Sequence, residues 1–149
     1  MMHWSLIILC FCGLVISSLQ RPRPKPDKCF EYRITHQRPK DQPVGSSACK
    51  LTCVTMVIDT MDKAHLQAIS DRAACGAGNY GLIGGVADRA QHTCSCQFHY
   101  GLVTKDKSSN CDKAVQAALL GAINNAIDSV FGRTAARTRD PLSTCPDRT

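Results

Sequence analysis

The hydrophobic and polar positions of this chain change rhythm several times, and each change predicts an element. Ser5 to Ile16 (SLIILCFCGLVI) is an unbroken apolar run behind Met-Met-His-Trp, closed by Ser17 and Ser18 before the chain turns basic at Arg21. That is the layout of a secretory signal peptide and is too short for a membrane anchor, so residues 1–20 are expected to be removed after Ser18 or Gln20. Residues 21–28 open with Arg-Pro-Arg-Pro-Lys-Pro, which predicts an extended, disordered arm carrying cations. Phe30, Tyr32 and Ile34 then alternate with Glu31, Arg33 and Thr35, the period of a half-buried strand. No proline occurs from Val44 to Asp140, which marks the folded body.

Within that body, Ser46 and Ser47 can cap a helix beginning near Ala48, with Cys49, Cys53, Val57, Met61 and Ala64 on one face. The β-branched stretch from Thr52 to Thr60 leaves a strand open there. A helix is preferred, broken near Thr60–Asp62 and resuming to Cys75, with Gly76 as its C-terminal cap. Residues 76–85 (GAGNYGLIGG) hold half of the ten glycines and are expected to be a loop. Cys94, Cys96, Phe98 and Tyr100 alternate with Ser95, Gln97 and His99, a strand with both cysteines on one face. The clearest helix spans 112–131, capped by Asn110 with Asp112 in its first turn and ended by Gly132. Val115, Leu119, Ile123, Ala126, Ile127 and Val130 form its apolar arc. Its polar face carries Asn124, Asn125 and Asp128 where an interfacial helix usually has cations, so it is read as packing on the core. The tail after Gly132 is polar.

Cysteine usage sharpens this outline. Of ten cysteines, Cys10 and Cys12 leave with the signal, and eight remain: Cys29, Cys49, Cys53, Cys75, Cys94, Cys96, Cys111 and Cys145. An even number in a short secreted chain reads as four disulfides, with 105 conceivable pairings. C-x3-C on a helix and C-x-C on a strand place both pairs at matching intervals, so two parallel disulfides can staple that helix to that strand. The expected fold is therefore α+β: a small disulfide-rich domain over 29–145, strand–helix–loop–strand, plus a C-terminal amphipathic helix.

Over residues 29–111 this arrangement resembles the cysteine-stabilised αβ motif of invertebrate defensins, macins and scorpion-type toxins. The resemblance implies Cys49–Cys94, Cys53–Cys96 and Cys29–Cys75, leaving Cys111–Cys145 to bridge the ends of the C-terminal region. The loops are longer than in compact defensins: 21 residues separate Cys53 from Cys75, and 18 separate Cys75 from Cys94.

Charge adds a direction. The chain carries 18 Lys+Arg against 12 Asp+Glu, and residues 21–50 hold eight basic and three acidic side chains. Arg21, Arg23, Lys25 and Lys28 are the candidate anion- or surface-binding residues. Catalytic readings find little: Glu31 is the sole glutamate, and no Walker A, nucleophile elbow, HExxH or EF-hand pattern occurs. His92, Cys94, Cys96 and His99 have zinc-ligand chemistry, yet His99 faces away on a strand and oxidised cysteines do not bind zinc. No metal and no cofactor are expected. The expected function is a secreted, non-enzymatic binding protein of host-defence or toxin-like type, acting on an anionic membrane surface, a channel or a receptor. The alternative is a matrix component of an extracellular secretion that holds polymer or mineral; no nucleic acid partner is expected.

Overall fold

The computed structural model describes residues 25–70, 76–105 and 111–147, with backbone alone for 68–70 and 76–83. Residues 1–20, expected to be a signal peptide, and Arg21, Arg23, Cys75 and Asn110 lie outside the described residues. The chain folds as a disulfide-rich α+β domain in the order β1 (Lys28–Gln37), α1 (Ser46–Ser70), β2 (Gly76–Asp88), β3 (Thr93–Leu102), α2 (Lys113–Phe131) and β4 (Ala136–Leu142). The strands make one antiparallel sheet of four, ordered β2-β3-β1-β4.

Alternation decides which face is buried. Phe30, Tyr32 and Ile34 of β1 and Phe98, Tyr100 and Leu102 of β3 join Val57 and Ala64 of α1 and Leu119, Ile123, Ala126 and Ile127 of α2 in the core. Both helices thus cover one side of the sheet. Tyr32 and Phe98 stack across the β1–β3 pair with ring centroids 5.0 Å apart. Beside this core, Cys49, Cys53, Cys94 and Cys96 form a second buried cluster. Cys49 joins Cys94 and Cys53 joins Cys96, with Cα separations of 5.7 and 5.3 Å, so the helix–strand staple is present.

The other pairings differ from those the defensin resemblance implies. Cys29 is bonded to Cys145, not Cys75, with Cα atoms 5.3 Å apart. Cys111 is also disulfide-bonded, so it is not the partner of Cys145. The cause is β4, which pairs with β1 from Ala136 opposite Thr35 to Leu142 opposite Cys29 and delivers Cys145 to the end of β1. The tail that reads as polar is thus an edge strand. Its exposed Thr138, Arg139 and Asp140 and its Pro141 suit an edge that must not recruit further strands.

Three boundaries also shift. Helix α1 runs unbroken through Thr60, and within it Thr52, Thr55 and Thr60 each satisfy the side-chain hydroxyl by donating to the carbonyl one turn back, at 2.9, 3.1 and 2.8 Å. Its described part reaches Ser70, the expected end at Cys75 lies outside the described residues, and Gly76 opens a strand rather than capping the helix. In α2 the cap is Asp112, whose Oδ1 accepts from the Val115 amide at 2.9 Å, and Gly132 ends the helix at φ 94° as expected.

The largest departure is β2, where a glycine loop was expected. Its pairing with β3 is interrupted by register shifts between Gly76 and Gly78, Asn79 and Gly81, and Leu82 and Gly84. Gly84 has φ 153°, a conformation that a side chain disfavours. Gly85 explains a different need. A Cβ built there would lie 2.9 Å from Cys53 Sγ, 3.0 Å from the Cys49 carbonyl oxygen and 3.1 Å from Lys50 Cα. The bare strand lets α1 approach closely enough for both staples to close. Gly85→Ala is therefore expected to destabilise by about 1–3 kcal/mol through overpacking. Gly121→Ala, which meets nothing within 4 Å inside α2, should stabilise by roughly 0.5–1 kcal/mol. Urea unfolding of the two variants checks the opposite signs.

Candidate functional site

The candidate cations near the N-terminus are less free than a disordered arm implies. Residues 25–28 belong to the folded domain. Lys25 Nζ lies 2.6 Å from Asp147 Oδ1, and Pro26 is buried. Asp27 accepts from the Thr104 amide and hydroxyl, both at 2.6 Å. Burial would raise its carboxyl, but those hydrogen bonds and nearby Lys105 outweigh that and hold it below the usual carboxylate range. Lys28 donates to Gln116 Oε1 at 3.0 Å and sits 5.7 Å from the centroid of Phe30.

Strand β4 adds a cation that the sequence does not mark. Arg139 Cζ lies 5.6 Å from the centre of the same Phe30 ring. Lys28 and Arg139 are both exposed and flank one aromatic ring at the β1–β4 edge. Arg137, further along the strand, is bonded to Asp128 and to the Asn124 carbonyl of α2. The only sequence signal for this corner is the Arg-Thr-Arg alternation before Pro141, and it carries no apolar period.

The sheet face away from the helices is polar. Glu31 is held by Arg33 NH2 at 3.3 Å and by His99 Nε2 at 3.4 Å. The Gln97 amide oxygen, in the orientation that satisfies its neighbours, accepts from Arg33 Nε and NH2 at 2.9 and 2.6 Å. Thr35 and Ser95 share a hydrogen bond of 2.7 Å across the same pair of strands. Glu31 thus sits on the outward face, as its alternation predicts, and its carboxylate is engaged by Arg33 and by the His99 ring.

The His-Cys cluster is dispersed. Cys94 and Cys96 are in disulfides, and His99 faces Glu31. His92, in a left-handed conformation at φ 55°, donates from Nε2 to the Pro39 carbonyl at 2.8 Å. Among the described residues no group of three or more His, Cys, Asp or Glu is placed to hold a metal. Helix α2 has the length and apolarity of a membrane span, but Leu119, Ala122, Ile123, Ala126 and Ile127 are buried in the core.

Two buried polar side chains at the end of β1 were not singled out by sequence. Arg38, 7% exposed, donates to Thr52 Oγ1 at 2.5 Å and to Gln42 Oε1 at 3.1 Å, while its Nε has no partner. His36, 8% exposed, packs edge-on against Phe131 with ring centroids 5.6 Å apart, and its Nε2 has no partner. Burial lowers the His36 pKa below the ordinary histidine value, a Gln37 backbone contact opposes this, and Arg38 adds to the lowering. The folded state therefore binds less proton than the unfolded state. His36 contributes stability that is present above about pH 6.5 and is lost as the pH falls through the lowered folded value. Thermal melts are expected to fall between pH 7 and 5, by at most about 1.4 kcal/mol per pH unit for this one proton. His36→Phe should flatten that dependence; an unchanged slope contradicts the assignment.

No family model, no curated protein and no solved structure matches this chain.

Proposed function

We propose that the protein is a secreted, non-catalytic binding protein of host-defence or toxin-like type, whose target is an anionic membrane surface, a channel or a receptor. The observation that carries this reading is the double staple of α1 to β3 through Cys49–Cys94 and Cys53–Cys96, the arrangement in which the chain resembles the cysteine-stabilised αβ proteins. Disulfides of this number are typical of proteins that work outside the cell, which agrees with the apolar leader at Ser5 to Ile16. The formal charge of +6 and the Lys28–Phe30–Arg139 corner favour an anionic partner.

The test is leakage from vesicles of anionic and of zwitterionic phospholipid, run beside growth inhibition of bacteria. Micromolar activity that requires the anionic lipid, or growth inhibition without leakage, supports the reading. Silence in both assays together with retention on chitin or calcium carbonate replaces it with the matrix role.

A further inference from the structure

Strands β1 and β4 carry four Lys and Arg side chains, and two of them are matched to acids: Arg33 to Glu31 and Arg137 to Asp128. Lys28 and Arg139 form no ion pair with any described carboxylate. They lie 5.7 and 5.6 Å from the centroid of Phe30, so the two charges are at most about 11 Å apart. The acids nearest to them in sequence are occupied or turned away. Asp27 accepts from Thr104, Asp112 caps α2, and Asp140 pairs with Glu31 on the opposite face of the sheet. The first turn of α2, which borders the corner through Gln116, holds no acid, and it begins with the exposed Lys113.

Both cations are exposed, yet both are held. Lys28 donates to Gln116 Oε1 at 3.0 Å, and Gln116 is fixed in turn by donating to the Cys111 carbonyl at 3.0 Å. Arg139 is set by the β1–β4 register opposite Tyr32 and by the Phe30 ring. Side chains already in place lose less freedom when an anion arrives. The partner that fits presents charge without an apolar layer. The large exposed hydrophobic residues are Leu51, Ile58 and Leu66 on α1 and Val86 on β2, with none on β1, α2 or β4 among the described residues, and Phe30 itself is only 7% exposed. A surface that enters a bilayer usually carries such residues beside its cations.

We infer that the Lys28–Arg139 corner, where β4 closes against β1 beside the start of α2, binds a sulfated polysaccharide, the two cations taking neighbouring sulfate groups of one chain. The planar Arg139 guanidinium can grip a sulfate through two parallel N–H donors, and Lys28 supplies a point charge. The inference takes from the proposed function its anionic partner, and it names that partner as a glycan at the target surface rather than the lipid beneath.

The test is calorimetric titration of the oxidised protein with a defined heparin oligosaccharide, beside NMR shift mapping of the ¹⁵N-labelled protein. Saturable shifts centred on the Lys28, Gln116 and Arg139 amides are expected. Lys28→Gln with Arg139→Gln should bind roughly 10- to 30-fold more weakly, the scale of two lost contacts between cations and an anionic surface. Its affinity should also depend less on salt, since fewer counter-ions leave the chain. Lys40→Gln with Arg89→Gln removes the same charge from exposed positions at the other end of the sheet and should bind nearly as the parent does. Equal weakening in both double variants would mean that net charge alone is read, and would overturn the inference. Shifts centred elsewhere overturn it too, as does binding of the parent to anionic vesicles but not to heparin; the shift map decides even if a variant fails to fold. Heparin binding with silent leakage and growth assays would keep this inference and remove the host-defence reading, whereas leakage without heparin binding would do the reverse.

Discussion

Replacing Cys49, Cys53, Cys94 and Cys96 together by alanine is expected to cost much more than the sum of removing each bridge alone. The two bridges span 45 and 43 residues, nearly the same loop. Once one is closed, the other closes only the few residues between the neighbouring cysteines. Loop-closure entropy then assigns about 2 kcal/mol to losing either bridge alone and about 6 kcal/mol to losing both. Set against a typical domain stability of roughly 5–15 kcal/mol, the quadruple variant should lose a large share of its stability and each double variant should stay well folded. Urea denaturation of the three variants, with mass measurement to confirm the remaining disulfides, reads the non-additivity directly. Additive losses would mean that the bridges act independently.

The second large effect is expected at Phe98. Its side chain is fully buried, stacks on Tyr32 at 5.0 Å and belongs to the cluster that also holds Ile123 and Ile127 of α2. Phe98→Ala removes the ring at the centre of the sheet and should cost about 3–5 kcal/mol, since disulfide-anchored strands cannot collapse freely into the gap. Val86, 65% exposed on β2, provides the contrast: Val86→Ala should change stability by less than about 0.5 kcal/mol. Chemical unfolding measures both. A small loss at Phe98 would mean that the core repacks around the vacancy.

The elements that were legible in the sequence are those whose side chains alternate or recur. In β1 and β3 the period of two is clean, and Phe30, Tyr32, Phe98 and Tyr100 fall inside as expected. In α2 the arc through Leu119, Ile123 and Ile127 is equally direct. The staple was legible because cysteine is itself the marker and the two spacings suit a helix and a strand. Strand β2 was hidden because glycine has no side chain to alternate, and the close approach at Gly85 depends on a helix far away in sequence. Strand β4 was hidden because an edge strand that must stay solvated is written in polar residues. Missing β4 meant missing Cys29–Cys145, since only the β1–β4 register brings those cysteines together. The same omission concealed Arg139, while Lys28 stood out from the basic N-terminal segment. His36 was indistinct because burial of one histidine is a property of the assembled sheet and α2, not of its neighbours in the chain.

The account rests on the double helix–strand staple, and the measurement that tests it most directly is a disulfide map of the oxidised protein by non-reducing peptide mass spectrometry. The predicted result is peptides joined through Cys49–Cys94 and Cys53–Cys96, with a third pair through Cys29–Cys145. Finding Cys49 or Cys53 joined to any other cysteine would contradict the staple and remove the main support for a host-defence or toxin-like role.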